Sequence, residues 1–195
     1  PSPATRSTTR HASPRCSTSR TMARPALTLA PLGFLELDPP TLLSVAGGAG
    51  FAAVTLRLAP AVPGGAHHPL APDSPELRQT LARARETGVG ILQVELIALD
   101  RATDVRAHRP LLEAGAALGA TRLVVTGDDP DLSVVAARLA EVADLAGEYR
   151  LTVDLEFMPF RALATLGQAL AAVAAAGRDN VAVMVDALHL ARSGG

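Results

Sequence analysis

Two stretches decide the fold: Leu151 to Phe157, LTVDLEF, and Asn180 to Asp186, NVAVMVD. Successive side chains of a strand point to opposite faces. In the first stretch Val153, Leu155 and Phe157 therefore share one face, and Thr152, Asp154 and Glu156 share the other. In the second, Val181, Val183 and Val185 fall on the apolar face and Asp186 on the polar one. Strands with one face against helices and the other around a polar interior are the strands of a barrel.

Working outward, the same kind of run recurs as ALTLAPL from Ala26, FAAVTLRL from Phe51, GVGILQVELI from Gly88 and TRLVVTG from Thr121. Helical patterns separate the runs, so the chain reads as βα units feeding a parallel sheet. Asp38-Pro39 and Ser74-Pro75 each put a capping side chain before a proline at the first helical position. Leu132, Val135, Leu139, Val142 and Ala146 form one apolar stripe, and Leu163, Leu166, Leu170 and Val173 predict another. Gly177 marks a helix end, and Gly47-Gly48-Ala49-Gly50 reads as a turn, because it follows a helix instead of a strand. The fold class is α/β, a (β/α)8 TIM barrel. About six strands and five helices precede Gly195, so the barrel is expected to be C-terminally truncated relative to the roughly 250 residues of the full form.

Residues 1–21 are rich in Ser, Thr, Pro and Arg and predict a disordered tail, leaving 22–195 as the partial barrel. Met22, just before the first apolar run, favours a translation start over a transit peptide. All 18 basic residues are arginine, and five of them, Arg6, Arg10, Arg15, Arg20 and Arg24, precede any acidic residue. Thirteen arginines then face 19 carboxylates, a balance unsuited to a polyanion, so nucleic acid is not expected as a partner. Cys16 is the lone cysteine, which excludes an internal disulfide or thiolate zinc site and fits a reducing cytoplasm. Charged residues, Gly or Pro interrupt every apolar run, so no membrane span is expected.

The second run places Thr55 and Arg57 opposite Val54, Leu56 and Leu58, and the third places Gln93 and Glu95 opposite Leu92, Val94 and Leu96. Several carboxylates converging in one interior are costly without a cation or hydrogen bonds to compensate. A metal or polar-substrate site at the carboxyl ends of the strands is one reading. The other is a structural network in which Arg57 and Arg122 neutralise Glu95, Asp154 and Glu156. His67, His68 and His108 read as solvated, and Asp128, Asp129 and Asp131 as helix caps in place of a calcium loop.

Leu155-Glu156-Phe157-Met158-Pro159, and Val185-Asp186-Ala187-Leu188-His189 followed by Ser193-Gly194-Gly195, resemble the fifth- and sixth-strand motifs of the sugar phosphate isomerase/epimerase family. This is a xylose isomerase-like TIM barrel group related to AP endonuclease family 2, and the likeness runs over residues 26–195. The resemblance implies Glu156 and Asp186 as metal ligands, with Glu156 also the catalytic base. It implies His189 as a substrate contact in the epimerase branch and as a metal ligand in the endonuclease IV branch. Arg57 and Glu95 are candidate substrate contacts. The implied cofactor is a divalent metal, Mn2+, Mg2+ or similar, and the implied substrate a small sugar or sugar phosphate, isomerised or epimerised through an enediolate. The family's seventh- and eighth-strand ligands have no counterpart within residues 1–195, so the stretch as it stands is expected to be inactive. A non-catalytic partial barrel, with a possible homo-oligomer formed through sheet edges, and an endonuclease IV-like nuclease are the alternatives.

Overall fold

The computed structural model describes residues 26–194. The expected tail over residues 1–21 lies outside them. Six strands run in sequence order and all neighbours are parallel. They are β1 Thr28–Leu29, β2 Ala53–Arg57, β3 Gly90–Leu99, β4 Arg122–Gly127, β5 Thr152–Glu156 and β6 Val181–Met184. Between and after them lie α1 Pro39–Gly48, α2 Pro75–Thr87, α3 Arg109–Ala117, α4 Leu132–Glu148, α5 Leu166–Ala176 and a sixth helix that the sequence reading did not separate, α6 Ala187–Arg192.

The sheet curls. Three strand spacings of about 4.8 Å would hold β3 and β6 roughly 14 Å apart if it were flat. Yet Gln93 on β3 reaches Asp154 on β5 at 2.9 Å and lies 3.8 Å from the Met184 sulfur on β6. Curvature of that kind gives the strands an inside, the lumen of a barrel-like α/β fold.

The caps read from sequence do their work: Asp38 accepts from Thr41 N–H, Ser74 from Leu77 N–H, and Gly177 ends α5 in the left-handed region at φ 60°. α4 buries Val135, Leu139, Val142 and Ala146 as its stripe predicts. α5 does not follow its prediction. Leu163 is buried but precedes the helix, Leu170 is 54% exposed, and the face turned inward is Ala169, Ala172 and Ala176. With apolar residues almost all round, LGQALAAVAAA has no single stripe, and small alanines let α5 pack closely on α4.

β3 departs from simple alternation. Val54 pairs with Ile91 and Thr55 with Gln93, so Leu92 is an extra residue; Glu95 pairs with Val124 and Ile97 with Val125, so Leu96 is another. Each bulge resets the side-chain phase. The helix-facing set is therefore Ile91, Val94, Ile97 and Leu99, whereas Leu92 is 37% exposed and Leu96 lies outside the main core cluster. Gln93 and Glu95 nevertheless face the lumen as expected. On β6, Val181 and Val183 pack on the core, but Val185, beyond the strand end, is 52% exposed.

Candidate metal centre

The lumen is polar in two layers. In the deeper one Thr55 donates to Gln93 at 3.1 Å, and Gln93 donates to Asp154 at 2.9 Å. Arg122 meets Asp154 through both ends of its fork, Nε and Nη2 each at 2.6 Å. Every Asp154 oxygen is thus engaged by a donor, the condition under which a buried carboxylate is tolerated.

Nearer the carboxyl ends, Arg57 gives Nε at 2.9 Å and Nη2 at 2.7 Å to one oxygen of Glu95. Burial pushes the Glu95 carboxyl above its ordinary range, opposed by the Arg57 charge. The arginine network anticipated for Glu95 and Asp154 therefore exists. Glu156 has no place in it: neither Arg57 nor Arg122 bonds to it, and its ion-pair neighbour among the described residues is His189, at 4.0 Å.

Three chain segments bring the cluster together. Glu156 ends β5, Asp186 follows β6, and His189 sits in the first turn of α6, where its N–H donates to Asp186 at 2.9 Å. Capping thus fixes Asp186 and His189 relative to each other. One potential ligand atom from each of Glu156, Asp186 and His189 lies within 4.8 Å of the others. Burial raises the Glu156 carboxyl to about 7, with the Asp186 and Glu95 charges adding to the effect and Arg57 and Arg161 opposing it. His189 Nδ1 is buried and has no hydrogen-bond partner. Two carboxylates and an imidazole facing one another, with no arginine bonded to either carboxylate among the described residues, make a donor set suited to a divalent metal. The residues present fit such an ion.

Arg57 and Glu95, expected at the substrate, are committed to each other, although the second Glu95 oxygen has no bonded partner. His67 and His68 are half-buried instead of solvated, holding the Gly65 carbonyl at 2.9 Å and the Leu35 carbonyl at 3.0 Å. His108 is half-buried too, and burial lowers its pKa. Asp131 caps α4 as read, but Asp129 is paired with Arg101 at 2.8 Å and Asp128 with Arg161.

Three neighbours of the cluster were missed. Phe160, 72% exposed, meets the His189 ring edge-on at 5.4 Å. Arg161 ties the loop after β5 to Asp128 after β4 and to the Ala61 carbonyl after β2, at 3.0 Å for the latter. Thr126, fully buried, stands in register with Glu156. Alternation along TRLVVTG, with Arg122 inward, would have found Thr126; nothing in the loop sequence marks Phe160 or Arg161. A cavity of about 560 Å3 opens beside Arg161, lined by Leu96, Ala98 and Asp100 from the end of β3 and by Asp104, His108 and Asp128 among others.

A curled parallel α/β sheet with an acid–imidazole cluster at its carboxyl ends is the arrangement of a TIM-barrel protein. The family described as xylose isomerase-like TIM barrel matches residues 43–195, and the chain belongs to it. Among solved structures, the chain is similar to a xylose isomerase domain containing protein from Salmonella typhimurium LT2, with 20% identity and a TM-score of 0.69, over 84% of this chain and 61% of that one. It is equally similar to the IOLI protein with a binding zinc atom, with 20% identity and a TM-score of 0.69, over 87% and 65%. L-ribulose 3-epimerase matches at 20% identity and a TM-score of 0.64, over 84% and 61%. The chain spans less than two thirds of the length of each. No curated protein matches by sequence. Among the described residues no helix is long and apolar enough to cross a membrane.

Proposed function

We propose that Glu156, Asp186 and His189 hold a divalent cation, and that the site serves proton transfer next to the carbonyl of a small polyhydroxylated substrate, an isomerase or epimerase reaction. The observation that carries this is the three-residue cluster itself, placed where TIM barrels carry their chemistry. His189 is closer to the ligand role here than to the substrate-contact role read from sequence, because its ring faces Glu156 within the cluster. An imidazole beside two carboxylates shifts the preference from Mg2+ toward Mn2+ or Zn2+.

When bound, the cation supplies Lewis-acid polarisation of the substrate carbonyl. Glu156, at the end of β5, takes the proton from the adjacent carbon and returns it. Asp186 and the α6 first turn hold the His189 backbone, and Phe160 packs edge-on against the imidazole. Asp100, Asp104 and Asp128 around the neighbouring cavity, against Arg161, favour a compact neutral substrate over a nucleic-acid backbone. Membership of the family and similarity to an epimerase support the reaction class.

Calorimetric titration with Mn2+ and Zn2+ tests the site: one equivalent is expected for the wild type and none for E156Q or D186N. Saturable binding that survives both substitutions would place the ion elsewhere. Exchange of a carbon-bound proton into D2O, read by NMR across ketoses and their phosphates, then tests the reaction.

A further inference from the structure

Four buried side-chain polar atoms lack a hydrogen-bond partner among the described residues: Thr126 Oγ1, Arg138 Nε, Arg161 Nε and His189 Nδ1. Arg138 lies on α4. The other three belong to residues around Glu156: Thr126 beside it in register, His189 facing it, and Arg161 close enough for its charge to act on that carboxylate. A buried polar group without a partner costs about 1–3 kcal/mol, so such groups are rare and each calls for an account.

Thr126 is the most constrained of the three. It is 0% exposed, so solvent does not satisfy its hydroxyl. Its in-register neighbours are Ala98 on β3 and Glu156 on β5. Ala98 offers no side-chain acceptor, which leaves Glu156, on a strand about 4.8 Å away, as the in-register acceptor. The backbone around Thr126 is pinned. The next residue, Gly127, accepts from Leu163 N–H at 3.0 Å, and Asp128 N–H donates to the Leu99 carbonyl at 2.9 Å. A Cβ at Gly127 would stand 2.7 Å from Leu163 Cβ, so this end of β4 is in close contact with the loop after β5 and has little room to shift. Turning the hydroxyl hydrogen does not move Oγ1, so the bond to Glu156 forms through a shift of the Glu156 side chain, not of the β4 backbone.

We propose that Thr126 is a positioning residue: its hydroxyl donates to the Glu156 carboxylate and fixes which Glu156 oxygen is presented to the cation. A carboxylate that ligates through one oxygen needs a donor for the other, and support of this kind commonly contributes 10- to 100-fold, by order of magnitude, to metal affinity. The proposal rests on the metal-site reading above. In the metal-free chain the same hydroxyl is a liability, because it is buried without a partner.

The test compares T126V, which keeps the shape and removes the hydroxyl, with T126S, which keeps the hydroxyl, and T126A as a second deletion in case T126V fails to fold. Mn2+ affinity by calorimetry and metal-free Tm are both read. The expected result is Mn2+ affinity at least about tenfold weaker in T126V and T126A, T126S within about threefold of wild type, and a metal-free T126V at least as stable as wild type. A structural role alone would lower the T126V Tm and leave affinity unchanged. T126V affinity within twofold of wild type, or a T126S loss equal to that of T126V, overturns the proposal while the metal site stands. A wild type that binds no cation removes the metal-site reading and this inference with it.

Discussion

The deep lumen layer and the layer above it are built from the same residue types and end in opposite conditions. Below, Asp154 is buried at 2% exposure and both its oxygens are filled, by Arg122 and Gln93. Above, Glu156 is nearly as buried at 7%, yet it faces Asp186 and His189 with no bonded cation and with unpartnered polar atoms on the residues around it. Burial and charge are similar, so neither distinguishes structure from function here. Satisfaction does: the lower network is closed and the upper one is open, which is the difference the proposed cation would remove.

Replacing the acid of each layer should therefore shift stability in opposite directions, and the larger effect belongs to Glu156. Its folded pKa of about 7 lies above the ordinary 4.5, so the contribution of Glu156 to the stability of the metal-free chain is fully present below pH 4.5 and lost as pH rises through 7. At about 1.36 kcal/mol per pH unit the loss approaches ~3 kcal/mol above pH 8. E156Q should reduce that slope to the part Glu95 contributes and make the metal-free chain more stable than wild type at pH 8, by urea denaturation, while cation binding disappears. Added Mn2+ should stabilise the wild type alone. A wild-type profile flat between pH 5 and 8 would show that the upper layer is already satisfied and end the distinction.

In the lower layer, D154A should destabilise at every pH above the carboxylate range, because Arg122 and Gln93 lose their shared acceptor. A fully buried pair broken on one side costs roughly 3–5 kcal/mol. Arg122 is 38% exposed and recovers some hydration, so about 2–3 kcal/mol is expected from the same denaturation experiment. Mn2+ affinity, measured where D154A is folded, should stay close to wild type. A loss of affinity matching the loss on E156Q would merge the two layers into one site.

How far this division could be read from sequence depends on where alternation holds. It holds on β2 and β5, so Arg57, Asp154 and Glu156 face inward as expected, whereas Asp186 lies beyond the end of β6 as the cap of α6, and it and His189 were legible through the family resemblance. It fails on β3, where two bulges hide inside a continuous apolar run and exchange Leu92 and Leu96 for Ile91 and Ile97 on the helix face. A bulge in GILQVELIAL leaves no compositional mark, because every residue it could displace is equally apolar. Pairing was legible only as a set of possibilities. Arg57, Arg122, Glu95, Asp154 and Glu156 shared one interior, but which carboxylate was left over depended on the register of β3 against β2 and β4. The bridge from Arg161 to Asp128 and Ala61 joins three loops far apart in sequence and had no local signal at all.

The smallest expected effect lies at Arg57, where the two conditions meet. Arg57 is bonded to one oxygen of Glu95, and its charge also opposes the rise of Glu156, although burial and Asp186 outweigh it. R57Q keeps a donor for Glu95 and removes the charge. Glu95, already raised by burial, can take up a proton and remain neutral, so the stability cost at pH 7 should be about 1–2 kcal/mol, that of a weakened charged hydrogen bond instead of a stranded buried ion. Glu156 should move further up by less than about one pH unit, so the pH above which Mn2+ binds should rise by the same amount. Calorimetric titrations between pH 6 and 8.5 would read that displacement. A stability loss without any displacement would confine Arg57 to the structural network. A displacement without a stability loss would make it part of the cation site's electrostatics, with its bond to Glu95 contributing little to the fold.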